Sequence, residues 1–482
     1  MAMSLRKKHT PVRLHPQGED GFVFETFGGR VAFEASDTTM TPYGGLAPFA
    51  AFLKRLGFVD ELVRTCPVGR TSPNAAPVRD IVISLILLNI CDGRRFAHVA
   101  RLCEDPAIAE LFGIRAVRSE DTLRRFLASI PRERLRPWID GAAACIRNLL
   151  PERIINDWDS TVITRYGAQE HAKIGYNPTK PGRPSHHPLL SVAAGTRIAT
   201  HYRMRAGNTV SATEWGAAME DCESWLGAGR IAVNRGDIGF GQESVMAWHE
   251  TRPGAPAFLF KLKLTKNVLR QAMILDEAAW EGPGKLGAWQ VAEAEVKLPS
   301  WTNGRRVVFA RRIQHTPAGE QPTLWKELSH EYDAYVTSLP EKQINAWQIV
   351  LMYRDRGDAE NLFDELKNQW GLGGFCSSSA GVTEGAARFT LASAALWNLF
   401  MRLMEPGRHV EAPTGRRWCL LMASRLVKTG RQKTLQVCVN GDWWKWLKSG
   451  YERLREWLRQ TAPQLPNYPL LTGREMTLNC GI

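Results

Sequence analysis

Three short acidic stretches, far apart along the chain, constrain the fold most. They cover residues 156–161, 234–240 and 353–360. The first two end β-rich runs, whereas the third has the periodicity of a helix. Because ligands of open α/β sheets collect beyond the ends of the strands, a mixed α/β fold would bring these acids together. Carboxylate oxygens are the ligands that magnesium prefers, so the three stretches together suit a metal site.

The third stretch belongs to a longer spaced pattern. Tyr353, Arg356, Glu360 and Lys367 stand at offsets 0, +3, +7 and +14. At about 3.6 residues per turn, they are predicted to lie along one face of a single helix. That face presents a carboxylate with a cation one turn before it and another two turns after it. Such a surface suits a divalent metal on a phosphodiester, with the cations holding the flanking phosphates.

This pattern resembles the YREK signature of the DDE insertion-sequence transposases. Further segments look like the insertion-sequence group thirteen-eighty: Asp159-Ser160-Thr161, Gly175–Pro178, Gly182–Pro188, Glu360-Asn361 and Glu365–Asn368. The resemblance is dense over about residues 150–375 and thinner outside. It implies a ribonuclease-H-like fold that cuts and joins DNA with two Mg²⁺ ions, for which Mn²⁺ would substitute.

The resemblance assigns catalysis and metal binding to Asp159, Asp237 and Glu360. Asp157 faces the same side of its strand as Asp159, as a neighbour or a hydrogen-bond acceptor. Asp237 follows Gly236 and is alternatively a simple turn residue.

Other acids compete with Glu360 on its helix, and the spaced pattern favours Glu360 over all of them. These rivals are Asp355, Asp358 and Asp364. Three residues of the pattern would position phosphates without transferring protons: Tyr353, Arg356 and Lys367.

A loop rich in hydrogen-bond donors follows the first strand. Its candidate DNA contacts are Lys173, Tyr176, Asn177, Lys180, Arg183 and His187. It is interpreted as a clamp on the DNA backbone, with a plain polar surface loop as the alternative. The pair His186-His187 is only a weak indication of a zinc site, because no third ligand has suitable spacing.

The pattern of helices and strands divides the chain into five parts. They are a helical N-terminal DNA-binding domain (1–150), the first part of the core (151–265), a β-rich insertion (266–340), the last core helix with the signature (341–375) and a helical C-terminal domain (376–482). The predicted fold is therefore multidomain α/β, with a ribonuclease-H-like catalytic core. The core should run as three strands, helix, strand, helix and strand, with Asp159 on the first strand and Asp237 just past the fourth.

A short helix over residues 106–112, a turn at Gly113 and a helix capped by Ser119 resemble a helix-turn-helix. Arg124 and Arg125 are expected to point outward from that second helix, toward DNA. The alternative is a solvated helix in an all-helical bundle.

Tryptophan is abundant, with 17 residues. In the insertion, Trp289 and Trp301 are the chief candidates to stack on an unpaired base, beside Trp280 and Trp325. Related transposases that make hairpin ends use such a residue, and the alternative is packing in a small β core.

Near the C-terminus, a Trp- and Leu-rich face offers a surface for a second copy of the chain, with packing on its own chain as the alternative. Its residues are Trp443, Trp444, Trp446, Leu447, Leu454, Trp457 and Leu458.

The formal net charge of +13 favours a polyanionic partner. No CxxC pair is present among the nine cysteines, and no apolar run is long enough to span a bilayer, so a reduced, cytoplasmic, nucleoid-associated bacterial protein is expected. The predicted function is transposition: binding of inverted terminal repeats, excision and joining of 3′ ends to target DNA by a homodimer on paired ends. The alternatives are a catalytically silent repressor and a non-transposing nuclease of the same fold.

Overall fold

A computed structural model describes residues 22–461, apart from residues 34–36, 70, 71, 73, 285, 286, 315–328 and 431. The strands are β1 Phe22–Thr26, β2 Gly29–Phe33, β3 Met40–Thr41, β4 Ile154–Ser160, β5 Ile163–Thr164, β6 Lys173–Ile174, β7 Pro184–His186, β8 Leu189–Ala193, β9 Ile198–Arg203, β10 Ile231–Gly236, β11 Ala257–Lys261, β12 Trp289–Val296, β13 Arg305–Gln314, β14 Ser329–Thr337, β15 Ser424–Thr429 and β16 Gln432–Val437.

The helices are α1 Leu46–Leu56, α2 Phe58–Arg64, α3 Val78–Ile90, α4 Ala100–Cys103, α5 Pro106–Phe112, α6 Glu120–Ser129, α7 Arg132–Ala142, α8 Ala144–Arg147, α9 Trp215–Leu226, α10 Glu243–Thr251, α11 Lys266–Met273, α12 Ala346–Arg354, α13 Gly357–Asn368, α14 Ala380–Met404, α15 Ala412–Gly415 and α16 Gly441–Arg459.

A large mixed sheet organises the α/β part of the protein. Its strand order is β12-β13-β14-β11-β10-β4-β8-β9. Strands β4, β10 and β11 run parallel, and the other neighbours are antiparallel. The predicted order of three strands, helix, strand, helix and strand is present as β4, β8, β9, α9, β10, α10 and β11. Every residue of β8 and β10 is buried, as expected for strands covered on both faces.

The segment predicted as a β-rich insertion continues this sheet. Strands β12, β13 and β14 form antiparallel pairs, and β14 pairs with β11 over Leu259–Thr337 to Lys261–Tyr335. Strands β12, β13 and β14 therefore extend the central sheet at its edge, because the backbone of β14 forms hydrogen bonds with the edge of β11.

The helices of the N- and C-terminal regions share one hydrophobic core. Every residue of α14 except Gly381 is buried, and α14 packs against α3, α6, α7 and α16. Phe52 of α1 lies 5.7 Å from Phe400 and 5.3 Å from Trp457, measured between ring centroids. Residues 46–142 and 380–457 thus form a single packed unit, although they were predicted as separate domains.

Two local predictions differ from the structure. The signature helix is interrupted: α12 ends at Arg354, and α13 begins at Gly357. The C-terminal region is not entirely helical, because β15 and β16 form a hairpin that pairs with β3. Among the described residues, no helix has the length and apolar character needed to cross a bilayer.

Candidate active site

Two of the predicted carboxylates lie at neighbouring strand ends. Strand β4 carries Asp159 as its penultimate residue, and Asp237 follows the last residue of the adjacent parallel strand β10. The register pairs Gly236 with Trp158, so the next residue on each strand is one of these aspartates. Gly236 is required there, because a Cβ at that position would come within 2.6 Å of the Phe240 ring.

The environment of Asp159 disfavours a negative charge. Burial raises its pKa to about 6, against the lowering effect of Arg356, and the nearby charge of Asp237 adds to the increase. Its Oδ1 accepts a hydrogen bond from the Ser160 backbone N–H at 2.8 Å. Because the charge of Asp237 makes ionisation of Asp159 more costly, a cation beside the two carboxylates would be stabilising.

Arg356 connects the third carboxylate to these strand ends. Its Nη1 donates to Glu360 Oε1 at 2.8 Å, and its Nη2 donates to the Trp158 carbonyl oxygen at 2.9 Å. The Arg356 side chain is buried, whereas that of Glu360 is 65% exposed. We predicted a phosphate contact for Arg356, but in this structure both terminal nitrogens are already engaged within the protein.

The break between α12 and α13 changes the geometry expected of the signature. Tyr353 lies in the last turn of α12, with its ring centroid 4.7 Å from that of Tyr335, and burial raises its pKa. Lys367 lies in the last turn of α13, is exposed, and its charge acts to lower the pKa of Asp159. The four signature residues therefore converge on one site from two helices, which the single-helix prediction did not foresee.

A buried ion pair beneath the site was not predicted. Arg235 Nε and Nη2 donate to the two carboxylate oxygens of Asp157 at 2.6 and 2.7 Å, and both side chains are 1% exposed. Arg235 Nη1 also donates to the carbonyl oxygen of Met352 in α12. This guanidinium thus ties β4, β10 and the end of α12 together. The only signal in the sequence was that Asp157 and Arg235 each lie within a β-rich run.

Helix α13 is anchored by a second buried group that was missed. Glu365 is 2% exposed, accepts from Arg197 Nη1 at 3.0 Å and lies 3.1 Å from His409 Nε2. Burial opposes ionisation of Glu365, but the hydrogen bond from His409 and the charge of Arg197 lower its pKa overall. These contacts fix the helix that carries Glu360 against the turn before β9.

The donor-rich loop separates into buried and exposed residues. Asn177 is buried, donates to Thr164 Oγ1 at 2.9 Å and accepts from the Lys180 N–H. His187 is also buried, with Nδ1 2.6 Å from the Thr209 carbonyl oxygen. These two residues hold the loop in shape. Because their side chains are buried, they are not accessible to DNA, contrary to the prediction. The exposed members of the set are Lys173, Tyr176, Lys180 and Arg183.

The tryptophans proposed to stack on a base differ in access. Trp301 is 6% exposed and lies beside Arg305, so its rings pack within the protein. Trp289 is partly exposed, with the guanidinium carbons of Arg312 and Arg354 at 5.0 and 4.3 Å from its ring. Trp325 lies outside the described residues.

The predicted helix-turn-helix elements are present as α5 and α6, joined through Gly113 in the left-handed conformation. Ser119 occupies the N-cap position, but its side chain makes no capping hydrogen bond. Arg125 is 82% exposed. Arg124, predicted to point outward, is only partly exposed: it donates to Glu120 at 2.8 Å and lies 4.4 Å from the Phe96 ring centroid.

The C-terminal apolar face is mostly occupied by the chain itself. Leu447, Leu454 and Trp457 are buried, and α16 packs on α14. Trp446 Nε1 donates to Glu405 at 2.9 Å, and only Trp444 is substantially exposed. The surface predicted to receive a second copy is therefore largely an internal contact.

The donor set suits a hard divalent cation, although it is not gathered into a closed site. Within the part of the chain that is described, no three His, Cys, Asp or Glu side chains lie close enough together to hold a metal. Asp159 and Asp237 lie at neighbouring strand ends, and Glu360 accepts a hydrogen bond from Arg356. Three carboxylates are the appropriate chemistry for magnesium, but in this structure Glu360 is bonded to Arg356 and does not join the two aspartates.

Fold and site together define a multidomain α/β protein with two aspartates at neighbouring strand ends of a mixed sheet. The chain belongs to the family described as Transposase DDE domain group 1, whose profile matches residues 25–458. No curated protein matches the sequence. The chain is also similar to a cryo-electron microscopy structure of a piggyBac transposase synaptic complex with hairpin DNA. The identity is 12%, with 92% of this chain and 87% of that chain covered, at a TM-score of 0.42.

Proposed function

We propose that this protein is a DNA transposase that binds inverted terminal repeats, excises the element by metal-dependent strand cleavage and joins its 3′ ends to target DNA. One observation carries the proposal: Asp159 and Asp237 end adjacent parallel strands, and Arg356 holds Glu360 against the same edge. Membership of the DDE transposase family supports it.

The finer classification rests on topology and spacing. The strand order β9-β8-β4-β10-β11, with three antiparallel strands followed by two parallel additions, supports a ribonuclease-H-like core. The convergence of Tyr353, Arg356, Glu360 and Lys367 on one site supports the YREK group, of the insertion-sequence thirteen-eighty type.

Asp159, Asp237 and Glu360 would together hold two Mg²⁺ ions, with Mn²⁺ as a substitute. When bound, such ions activate the attacking oxygen and stabilise the leaving oxygen of the phosphodiester. The residues of the chain do the positioning. Arg356 keeps Glu360 beside the strand ends, and Lys367 supplies a positive charge on the same side for a flanking phosphate.

The remaining DNA contacts are assigned to exposed cations. The loop residues Lys173, Lys180 and Arg183 follow the strand that carries Asp159, and Tyr176 is exposed beside them. Arg125 of α6 would contact the terminal repeat. Cations on these surfaces would neutralise phosphates and give an affinity that falls as salt rises.

The test uses the full-length protein and a duplex taken from the end of the DNA segment that flanks its gene. Asp159→Asn, Asp237→Asn and Glu360→Gln should each abolish cleavage and joining in Mg²⁺, with duplex binding retained. Asp364→Asn is the matched control, because Asp364 lies on the same helix but bonds only to Asn368 among the described residues. Normal cleavage by Glu360→Gln would overturn the assignment.

Two alternatives predict different products. A silent repressor would bind the duplex without cutting it, and a non-transposing nuclease would cut it without joining 3′ ends to a target plasmid. Denaturing gels of the cut ends also report whether hairpins form.

Joining two ends in one reaction requires two active sites, so we propose a homodimer on paired ends. Because the apolar C-terminal face is largely internal, free protein should be monomeric in light scattering, and a dimer should form on adding the duplex. A monomer on each end at concentrations that support cleavage would refute this.

A further inference from the structure

A basic segment near the C-terminus lies beside the predicted DNA-reading helices. Residues 412–441 contain six Lys or Arg and no Asp or Glu. Residues 424–437 of this segment form the β15–β16 hairpin, which was not predicted. Its position in the fold and the distribution of its side chains indicate a specific partner.

The hairpin is fixed to α5 at two places. Strand β15 pairs with β3, and Thr41 of β3 donates to Asp105 Oδ2 at 2.6 Å, at the start of α5. Lys428 and Lys433 form ion pairs of 2.6 and 2.8 Å with Glu110 of α5. Those ion pairs lower the pKa of Glu110 to about 2, so this carboxylate remains charged at any working pH.

The register of the hairpin divides its side chains between two faces. Leu426 pairs with Leu435, and Lys428 pairs with Lys433, on the face toward α5. The opposite face consists of half-buried Val427 and five exposed polar residues, which are Arg425, Thr429, Gln432, Thr434 and Gln436. Among the described residues, no hydrogen bond or ion pair uses the side chains of these five. This outward face therefore presents one guanidinium, two hydroxyls and two amides that have no partner among the described residues.

A cleft of about 390 Å³ separates the hairpin from the α5–α6 turn. Arg115 and Lys433 both line it. The hairpin thus stands alongside the turn that leads into α6.

We propose that the outward face of the β15–β16 hairpin is a DNA-contact surface, which binds duplex DNA beside the α5–α6 pair. A two-stranded ribbon fits the major groove, where Gln and Arg side chains recognise base edges or phosphates. The proposal rests on the proposed function for its partner. It adds that the DNA-contact surface is composite, built from residues near 40, 106–129 and 424–437.

The test compares two matched double variants of the full-length protein. Arg425→Ala/Gln436→Ala removes a guanidinium and an amide from the hairpin. Arg455→Ala/Gln460→Ala removes the same groups from the far end of α16, at positions that are also exposed. Because these side chains are exposed, both variants should melt at the temperature of the unmodified protein.

The probe is a random-sequence duplex of about 30 base pairs, measured by fluorescence anisotropy over a salt series. The hairpin variant should bind at least about fivefold more weakly. In a plot of log affinity against log salt concentration, its slope should be smaller in magnitude by about one. The α16 variant should stay within about twofold of the unmodified protein. Equal losses in the two variants, or no loss in the hairpin variant, would overturn the proposal.

A second measurement needs no variant. Cys438 follows β16 on the outward side and is exposed. Its alkylation by iodoacetamide, followed by peptide mass spectrometry, should slow when the duplex is added. Unchanged alkylation under saturating duplex would refute the contact. Failure of the transposase assignment is a separate result, because it would be seen as absent cleavage of the terminal duplex rather than as altered binding of the random duplex.

Discussion

Arg356 and Glu360 lie one helical turn apart and are joined by a hydrogen bond of 2.8 Å, while the other arm of the Arg356 guanidinium donates to the Trp158 carbonyl oxygen. This fork spans from α13 to the end of β4. A lysine has the same charge but cannot make both bonds with fixed geometry. We therefore expect Arg356→Lys to reduce the cleavage rate by about tenfold or more, with an unchanged affinity for the terminal duplex.

A direct contact between Arg356 and a DNA phosphate, as the sequence predicts, would give the opposite pattern. In that case the substitution would weaken DNA binding and alter its salt dependence. Single-turnover cleavage and anisotropy on the same samples separate the two. Lys367→Arg serves as the comparison, because Lys367 is exposed at the end of the same helix.

The buried pair Asp157–Arg235 should be a strong determinant of stability. Removing one partner leaves an uncompensated charge in the core, which typically costs about 3–5 kcal/mol. We expect Asp157→Asn and Arg235→Met each to lower the free energy of unfolding in urea by an amount of this order. The double variant Asp157→Leu/Arg235→Met should be less destabilised than the sum of the single variants, and strict additivity would contradict a coupled pair.

The N-terminal region should not fold by itself. Residues 80–90 of α3 are all buried, and α3 packs against α14, which lies some three hundred residues further along the chain. A fragment of residues 1–150 would expose this surface to water. In circular dichroism we expect the fragment to melt without a cooperative transition, in contrast to the full-length protein. A monomeric fragment that unfolds cooperatively and binds the terminal duplex would show instead that residues 1–150 form an independent domain.

His249 should make the fold sensitive to mild acid. It packs among aromatic rings, with centroids 5.6 Å from Trp215 and 5.5 Å from Phe258, and burial lowers its pKa to about 4. The unfolded chain binds a proton near pH 6.5, so stability should fall as pH decreases from there toward 4.

From this shift we expect His249 to lower the free energy of unfolding by about 2 kcal/mol between pH 7 and pH 5. His249→Phe should flatten that part of the profile in urea titrations, whereas His98→Phe, at an exposed position, should leave it as it is. An unaltered profile in the His249 variant would show that other groups cause the acid sensitivity.

Local patterns predicted the elements well, and contacts between distant segments poorly. Asp159 and Asp237 fall at strand ends as expected, because alternation and turn residues are read within short windows. The spacing of the signature suggested one helix. The helix is instead interrupted at Asp355 and Arg356, and the Arg356 side chain is buried in the core. The Asp157–Arg235 pair could not be predicted, since it depends on which strands become neighbours.

The burial of α14 also bears on how the protein is made. Residues 46–142 leave the ribosome long before residues 380–404, yet they lack a completed core until that helix arrives. During synthesis the apolar surface of these early helices stays exposed to solvent until α14 has been made, and such exposed surface is what chaperones bind. A message truncated anywhere before α14 would yield a chain without the α5–α6 surface in its final form, so this surface is complete only after nearly all of the described chain has been made.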